Sequence, residues 1–167
     1  MLRILGIDPG SRVTGYGIIE SNGHQSQHIA SGCIRLSGDN FPNRLGQIFK
    51  QVSEVIQQHQ PDVMAIEDVF VSKNPSSALK LGQARGAAIC AGITHGLDVS
   101  EYTPRTVKQS VVGSGAADKG QVEQMVRLIL RLDVTLASDQ ADALAVALSH
   151  AHIGSTKQRL AAGGWRR

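Results

Sequence analysis

Apolar residues arrive along this chain first in short unbroken runs and later at helical spacing, and each change of period marks an element. The run Leu2-Arg3-Ile4-Leu5-Gly6-Ile7-Asp8 reads as a buried strand over 2–8, stopped by Pro9-Gly10. A second strand is expected over 13–21. Asn22-Gly23 then signals a two-residue hairpin into a third strand over 24–36, with an irregularity near Gly32. Leu45, Ile48, Phe49, Val52, Val55 and Ile56 recur three and four apart and predict an amphipathic helix over 42–59, ended by Pro61-Asp62. A strand over 63–67, an Ala- and Gly-bearing helix over 76–95 and a strand over 98–102 follow. Pro104 suits the first turn of a short helix. Gly113-Ser114-Gly115-Ala116-Ala117 reads as a flexible loop, and helices over 119–131 and 138–152 complete the pattern.

Three strands in a meander followed by alternating helices and strands predict an α/β fold: a mixed five-stranded sheet flanked by helices on both faces. In that arrangement the strands over 2–8 and 63–67 lie side by side. Residues 1–153 read as one domain without internal repeats. The basic, Gly-bearing stretch 154–167 is expected to be a disordered tail.

Composition narrows the class. With 167 residues and 41% hydrophobic content the chain can bury a full core. No apolar run approaches the roughly 20 residues of a membrane-spanning helix, and a strand beginning at residue 2 leaves no room for a signal peptide. Cys33 and Cys90 lack C-x-x-C spacing and read as core thiols in a reducing compartment, so a cytoplasmic protein without a membrane partner is expected. The net charge of +3 comes from the tail residues Lys157, Arg159, Arg166 and Arg167, and residues 1–153 alone carry −1. Two stretches without acids matter more. One carries Lys73, Lys80 and Arg85, the other Arg105 and Lys108. A positive surface of this kind suits a polyanion.

Four carboxylates supply the candidate chemistry. Asp8 and Glu67 close two strands expected to be buried, where a carboxylate is poorly solvated unless a cation joins it. Asp139 and Asp142 stand three apart on one face at the start of the last helix, with Ser138 as the expected cap, and a helix N-terminus favours negative charge. Four carboxylates converging on one point suit hard divalent cations, which take oxygen ligands. The six histidines show no metal spacing, and no Ser/His/Asp or Cys/His constellation stands out.

The stretch Leu5-Gly6-Ile7-Asp8-Pro9-Gly10-Ser11-Arg12, running on to Thr14-Gly15-Tyr16-Gly17, resembles the RuvC family of bacterial Holliday junction resolvases. So do Ala65-Ile66-Glu67-Asp68-Val69-Phe70, Thr103-Pro104-Arg105-Thr106-Val107-Lys108 and the segment 138–147 from Ser138-Asp139-Gln140-Ala141-Asp142 onward. The resemblance spans nearly the whole chain, in order and at family spacing. It implies a ribonuclease H-like fold with Asp8, Glu67, Asp139 and Asp142 as the metal-binding catalytic carboxylates; some relatives carry His at the position of Asp139. It implies that Phe70 meets DNA bases near the crossover and that Lys108 and Lys119 contact the scissile region. Lys73 and Arg105 belong to the same DNA-binding surface. Two Mg²⁺ ions per site are expected, with Mn²⁺ able to substitute, Asp8 bridging the pair, Glu67 completing one shell and Asp139 and Asp142 the other. Family members act as homodimers that nick two strands of like polarity in a four-way DNA junction, beside the RuvA–RuvB branch-migration complex, during recombination and repair.

Three other readings compete. A catalytically silent junction-binding protein would leave four mutually repelling carboxylates without use. Another ribonuclease H-like nuclease would share the chemistry but not the substrate. A phosphotransferase of the actin-like type needs two such domains around its nucleotide, for which the chain is too short.

Overall fold

The computed structural model describes residues 1–69 and 74–162, with side chains through Gly154. The expected DNA-contacting residues Phe70 and Lys73 lie outside the described residues. The elements are β1 (Leu2–Asp8), β2 (Val13–Ser21), β3 (Ser26–Arg35), α1 (Phe41–His59), β4 (Val63–Glu67), α2 (Pro75–Thr94), β5 (Asp98–Tyr102), α3 (Pro104–Val112), α4 (Lys119–Leu130) and α5 (Ser138–Ala162). The sheet order is β3-β2-β1-β4-β5, antiparallel from β3 to β1 and parallel from β1 to β5. β1 and β4 are neighbours, as expected, with Ile7 opposite Ile66. Both strands therefore deliver their last residues, Asp8 and Glu67, to the same end of the sheet.

The two-residue period of the strands divides the core between the two faces. Leu5, Ile7, Ile18, Met64 and Ile66 pack against Ile48, Val52 and Ile56 of α1 and Ala84, Ala88 and Ala91 of α2. Ile4, Ile19 and Ala65 face α3, α4 and α5, where Leu144, Val146, Ala147 and Leu148 are fully buried. Full burial of each large aliphatic side chain stabilises the fold by about 1.5–3 kcal/mol.

α5 approaches the sheet over glycines. A side chain on Gly6 would strike the Ala143 carbonyl oxygen at 2.1 Å, and one on Gly17 would strike Leu144 at 2.7 Å. Gly6 and Gly17 stand opposite each other across β1 and β2, and Gly15 stands opposite Asp8. A side chain on Gly15 would lie 1.9 Å from the carbonyl oxygen of Asp139. Three glycines thus make a trough that seats the first turns of α5 directly on the strands.

Local chemistry corrects several sequence expectations. The β2–β3 connection has four residues, 22–25, because the Asn22 side chain accepts hydrogen bonds from the backbone of His24 and Gln25 at 2.9 and 2.8 Å. The irregularity in β3 falls at Ile29, between the pairs Ile18–Ala30 and Ile19–His28; Gly32 instead makes room for the Tyr16 ring. Ser138 is the first helical residue of α5 rather than its cap, and the Gln140 side chain reaches back to accept from the backbone of Ala137 at 3.2 Å. The loop after α3 is pinned by Gln109, which donates to the Gly113 carbonyl and accepts from the backbone of Gly115. Cys90 is exposed, on the face of α2 turned away from the core, while Cys33 is half-buried. α5 runs past its expected end at 152 to Ala162, since nothing from Thr156 to Ala162 breaks a helix, so the first part of the expected tail is helical. Residues 163–167 lie outside the described residues.

Candidate active site

Each of the four carboxylates is held by a different local device, and all four are half-buried. Asp8 ends the central strand. The turn behind it is tied by Thr14, fully buried, whose Oγ1 donates to the Gly10 carbonyl at 3.2 Å and accepts from the Gly10 backbone at 3.3 Å. Glu67 ends β4 and pairs with Tyr102 of β5. Asp139 and Asp142 occupy the first turns of α5, lowered onto β2 through Gly15.

Electrostatics joins the four into one site. Burial pushes the Asp8 carboxyl up from its ordinary 3.8 to about 8, and the charges of Glu67, Asp142 and Asp139 add to that. Burial likewise raises Glu67 to about 7, with Asp142 contributing. Lys119 opposes both shifts: its Nζ lies 3.1 Å from Asp142 Oδ2, and that hydrogen bond raises the lysine's own pKa. Asp118 sets its place by capping α4 in a reciprocal box with Gln121, which fixes Lys119 as the first helical residue. Lys108, on α3, is near enough to lower the pKa of Glu67.

Among the described residues, no three His, Cys, Asp or Glu side chains are grouped closely enough to hold an ion as they stand. Unneutralised carboxylates repel, and Lys119, bonded to Asp142, opposes that repulsion. The donor set nonetheless fits a hard cation. It offers only carboxylate oxygens, and two of the carboxylates, Asp8 and Glu67, have ionised forms disfavoured by burial and by neighbouring carboxylates, which is the condition a divalent ion relieves.

These shifts give a signed pH dependence. Between about pH 4 and pH 8 the folded chain holds protons on Asp8 and Glu67 that the unfolded chain has released, so raising the pH favours unfolding. Their contribution is complete below pH 4 and is lost as pH rises through 7 and 8. In a chelating buffer the melting temperature is expected to fall from pH 5 to pH 8. Asp8→Asn should flatten that fall, and parallel profiles for the two proteins would contradict the shared site.

The basic residues separate by location. Arg105, exposed, and Lys108 line a groove of about 880 Å³ with Thr103, Gln109, Ser114 and Ala116. Lys80 lies over the Phe41 ring at 5.9 Å. Arg85, expected on the positive surface, is instead turned inward against Asp68 and Glu101 and is not offered to a polyanion. Sequence reasoning missed the glycine trough and Arg85. The available signal for the trough was Gly6, Gly15 and Gly17 in two strands otherwise rich in large apolar residues; Arg85 had no such signal.

The sequence profile described as crossover junction endodeoxyribonuclease RuvC matches residues 4–150. A protein of that name from Alkalilimnicola ehrlichii is 56% identical over 164 residues, covering 98% of this chain and 99% of the relative. Another, from Pseudoalteromonas atlantica, is 61% identical over 152 residues, covering 91% and 88%. Among solved structures, T. thermophilus RuvC in complex with Holliday junction substrate superposes with a TM-score of 0.88 at 34% identity, over 94% of this chain and 97% of that one. The architecture is accordingly ribonuclease H-like.

Proposed function

Since the chain belongs to the RuvC family of crossover junction endodeoxyribonucleases, we propose that it resolves four-way DNA junctions, hydrolysing one phosphodiester bond in each of two strands of like polarity. The observation that carries this reading is the delivery of Asp8 and Glu67 to one end of the sheet, where the start of α5, bearing Asp139 and Asp142, is seated on Gly15 opposite Asp8. Asp8 feels all three of the others, which suits it to the middle of a set holding two Mg²⁺ ions, with Mn²⁺ able to replace them. Such ions, when bound, activate the attacking water and offset charge on the leaving oxygen.

The chain's own residues have separate tasks in this reading. Glu67 holds one side of the set, and Asp139 and Asp142 hold the other. Lys108 and Arg105 draw the DNA backbone into their groove beside the carboxylates. Lys119, paired with Asp142, would be free to turn toward the scissile phosphate once the carboxylates held ions, and there it would stabilise developing charge. Lys119→Ala is expected to lower the single-turnover cleavage rate by about 100-fold, with junction affinity little changed. An unaltered rate would remove this role.

A four-way junction has approximate two-fold symmetry, and a two-fold dimer presents two equal sites to it. We assign the dimer contact to the outward face of α2, where Leu79, Gly82, Cys90 and Ile93 are all exposed. Family resemblance supports action in the cytoplasm beside the RuvA–RuvB complex. Among the described residues no helix is long and apolar enough to cross a membrane.

The test is cleavage of an end-labelled four-way junction against linear duplex, with Mg²⁺ and with chelator. Symmetric nicks in the junction alone, and only with Mg²⁺, are the expected result. Equal cutting of duplex would keep the chemistry and discard the junction preference. Binding without cutting would favour a silent junction-binding protein.

A further inference from the structure

Glu67 stands where the sheet stops holding it on one side. The β1–β4 ladder ends at Ile7–Ile66, so the last residue of β4 has only β5 as a strand neighbour. Directly after it the chain leaves the sheet. The peptide unit joining Glu67 to Asp68 is nevertheless fixed at both of its polar atoms. Its N–H, on Asp68, donates to the Tyr102 carbonyl at 2.8 Å. Its carbonyl, on Glu67, accepts from Nε of Arg85 at 3.1 Å. Arg85 reaches this point from α2, and its side chain is only 15% exposed.

The guanidinium is aimed by acids on two other elements. Its Nη2 lies 3.5 Å from Asp68 Oδ1 and in contact with the Glu101 carboxylate of β5, although neither contact has well-formed hydrogen-bond geometry. Its charge is therefore matched by Asp68 and Glu101. The groups that set the electrostatics of the Glu67 carboxylate are burial, Asp142, Lys119 and Lys108, and Arg85 is not among them. What Arg85 does to Glu67 passes through the main chain. Holding the 67–68 peptide plane restricts the backbone rotation at Glu67 and with it the direction in which the carboxylate leaves the strand.

We propose that Arg85 is a positioning residue for metal binding: it pins the Glu67–Asp68 peptide and so aims Glu67 at the ion it shares with Asp8. The proposal rests on the reading of Glu67 as an ion ligand. A planar fork with several fixed donors can serve the carbonyl and two carboxylates together, which a lysine ammonium on a flexible stem cannot. Arg85→Lys should therefore recover only part of what Arg85→Met loses.

Three readouts on the full chain separate positioning from general support: the Mn²⁺ concentration for half-maximal single-turnover cleavage, the rise in melting temperature on adding Mn²⁺ without DNA, and junction affinity in chelator. Arg85→Met is expected to raise the Mn²⁺ midpoint about ten-fold or more and to shrink the Mn²⁺-induced shift. Junction affinity should stay the same, and excess Mn²⁺ should restore most of the rate. A wild-type midpoint and shift, or a loss of rate equal at every Mn²⁺ concentration, would overturn the proposal. If Arg85→Met does not fold, Glu101→Gln carries the test, since it removes an exposed anchor of the guanidinium. A smaller midpoint increase is expected there, and none would overturn the idea. Glu67→Gln, run alongside, guards the premise. If it keeps the wild-type midpoint, the reading of Glu67 itself falls; if it loses Mn²⁺ dependence while the Arg85 variants do not, only the positioning role falls.

Discussion

Asp8→Asn is expected to abolish junction cleavage, by a factor of about 1000 or more, while leaving a folded protein that still binds the junction. The substitution keeps the shape of the side chain and removes one carboxylate oxygen's capacity to carry charge. Asp8 is influenced by all three other carboxylates, so its loss takes away a donor on which the proposed ion set depends. The same fact predicts a gain elsewhere. In the absence of divalent ions, an ionised Asp8 is opposed by burial and by three like charges, so the neutral variant should melt higher than wild type in chelator at pH 8. Mg²⁺ should then raise the melting temperature of wild type more than that of Asp8→Asn. Junction affinity in chelator should hold or rise, because a negative charge has left the surface that meets phosphate. Three signs are thus expected together: activity lost, metal-free stability gained, metal response diminished. A variant that kept cutting would remove Asp8 from the chemistry. One that lost cutting and stability together in chelator would mark Asp8 as a structural residue.

Much of this site could be read from the chain because strand ends are visible there. Asp8 and Glu67 each close a buried run bounded by turn residues, and the parallel pairing of β1 with β4 follows from element order. Asp139 and Asp142 share a face by helical spacing alone. Where the reading failed, a side chain competed with the backbone over a few residues. Asn22 captured two N–H groups and lengthened the hairpin, and Gln140 rather than Ser138 closed the start of α5. Arg85 had to be missed. Its charge reads as surface charge in a stretch without acids, and its acceptors lie in β4, in β5 and just past β4, 16 to 18 positions away. Only tertiary packing brings them together.

The trough beneath α5 yields the other large effect. Gly15→Ala is expected to impair cleavage by about 100-fold, the scale on which a shift near 1 Å misplaces reacting groups. It is also expected to destabilise the fold by about 1–3 kcal/mol, as overpacking commonly does. The added methyl would stand 1.9 Å from the Asp139 carbonyl oxygen and 2.4 Å from its carbonyl carbon, both backbone atoms that no rotamer change can move. Either the first turn of α5 lifts from β2 or the strand recedes. Both outcomes separate Asp139 and Asp142 from Asp8, which lies opposite Gly15 across the β1–β2 ladder. Farther along, Leu144 lies over Gly17, and a methyl there would meet its flexible tip, Cδ2 and Cγ, at 2.7 Å, with the Leu144 backbone nitrogen next at 2.9 Å. Gly17→Ala should therefore cost stability with a smaller loss of cleavage, because the flexible Leu144 side chain can absorb part of the strain and the contact falls beyond both carboxylates of α5. Thermal melts and single-turnover rates on the two variants separate these cases. Equal losses of cleavage at equal losses of stability would mean that α5 moves as one rigid rod. A greater loss at Gly15 for the same destabilisation would locate the requirement in its first turn, where two of the four carboxylates are seated.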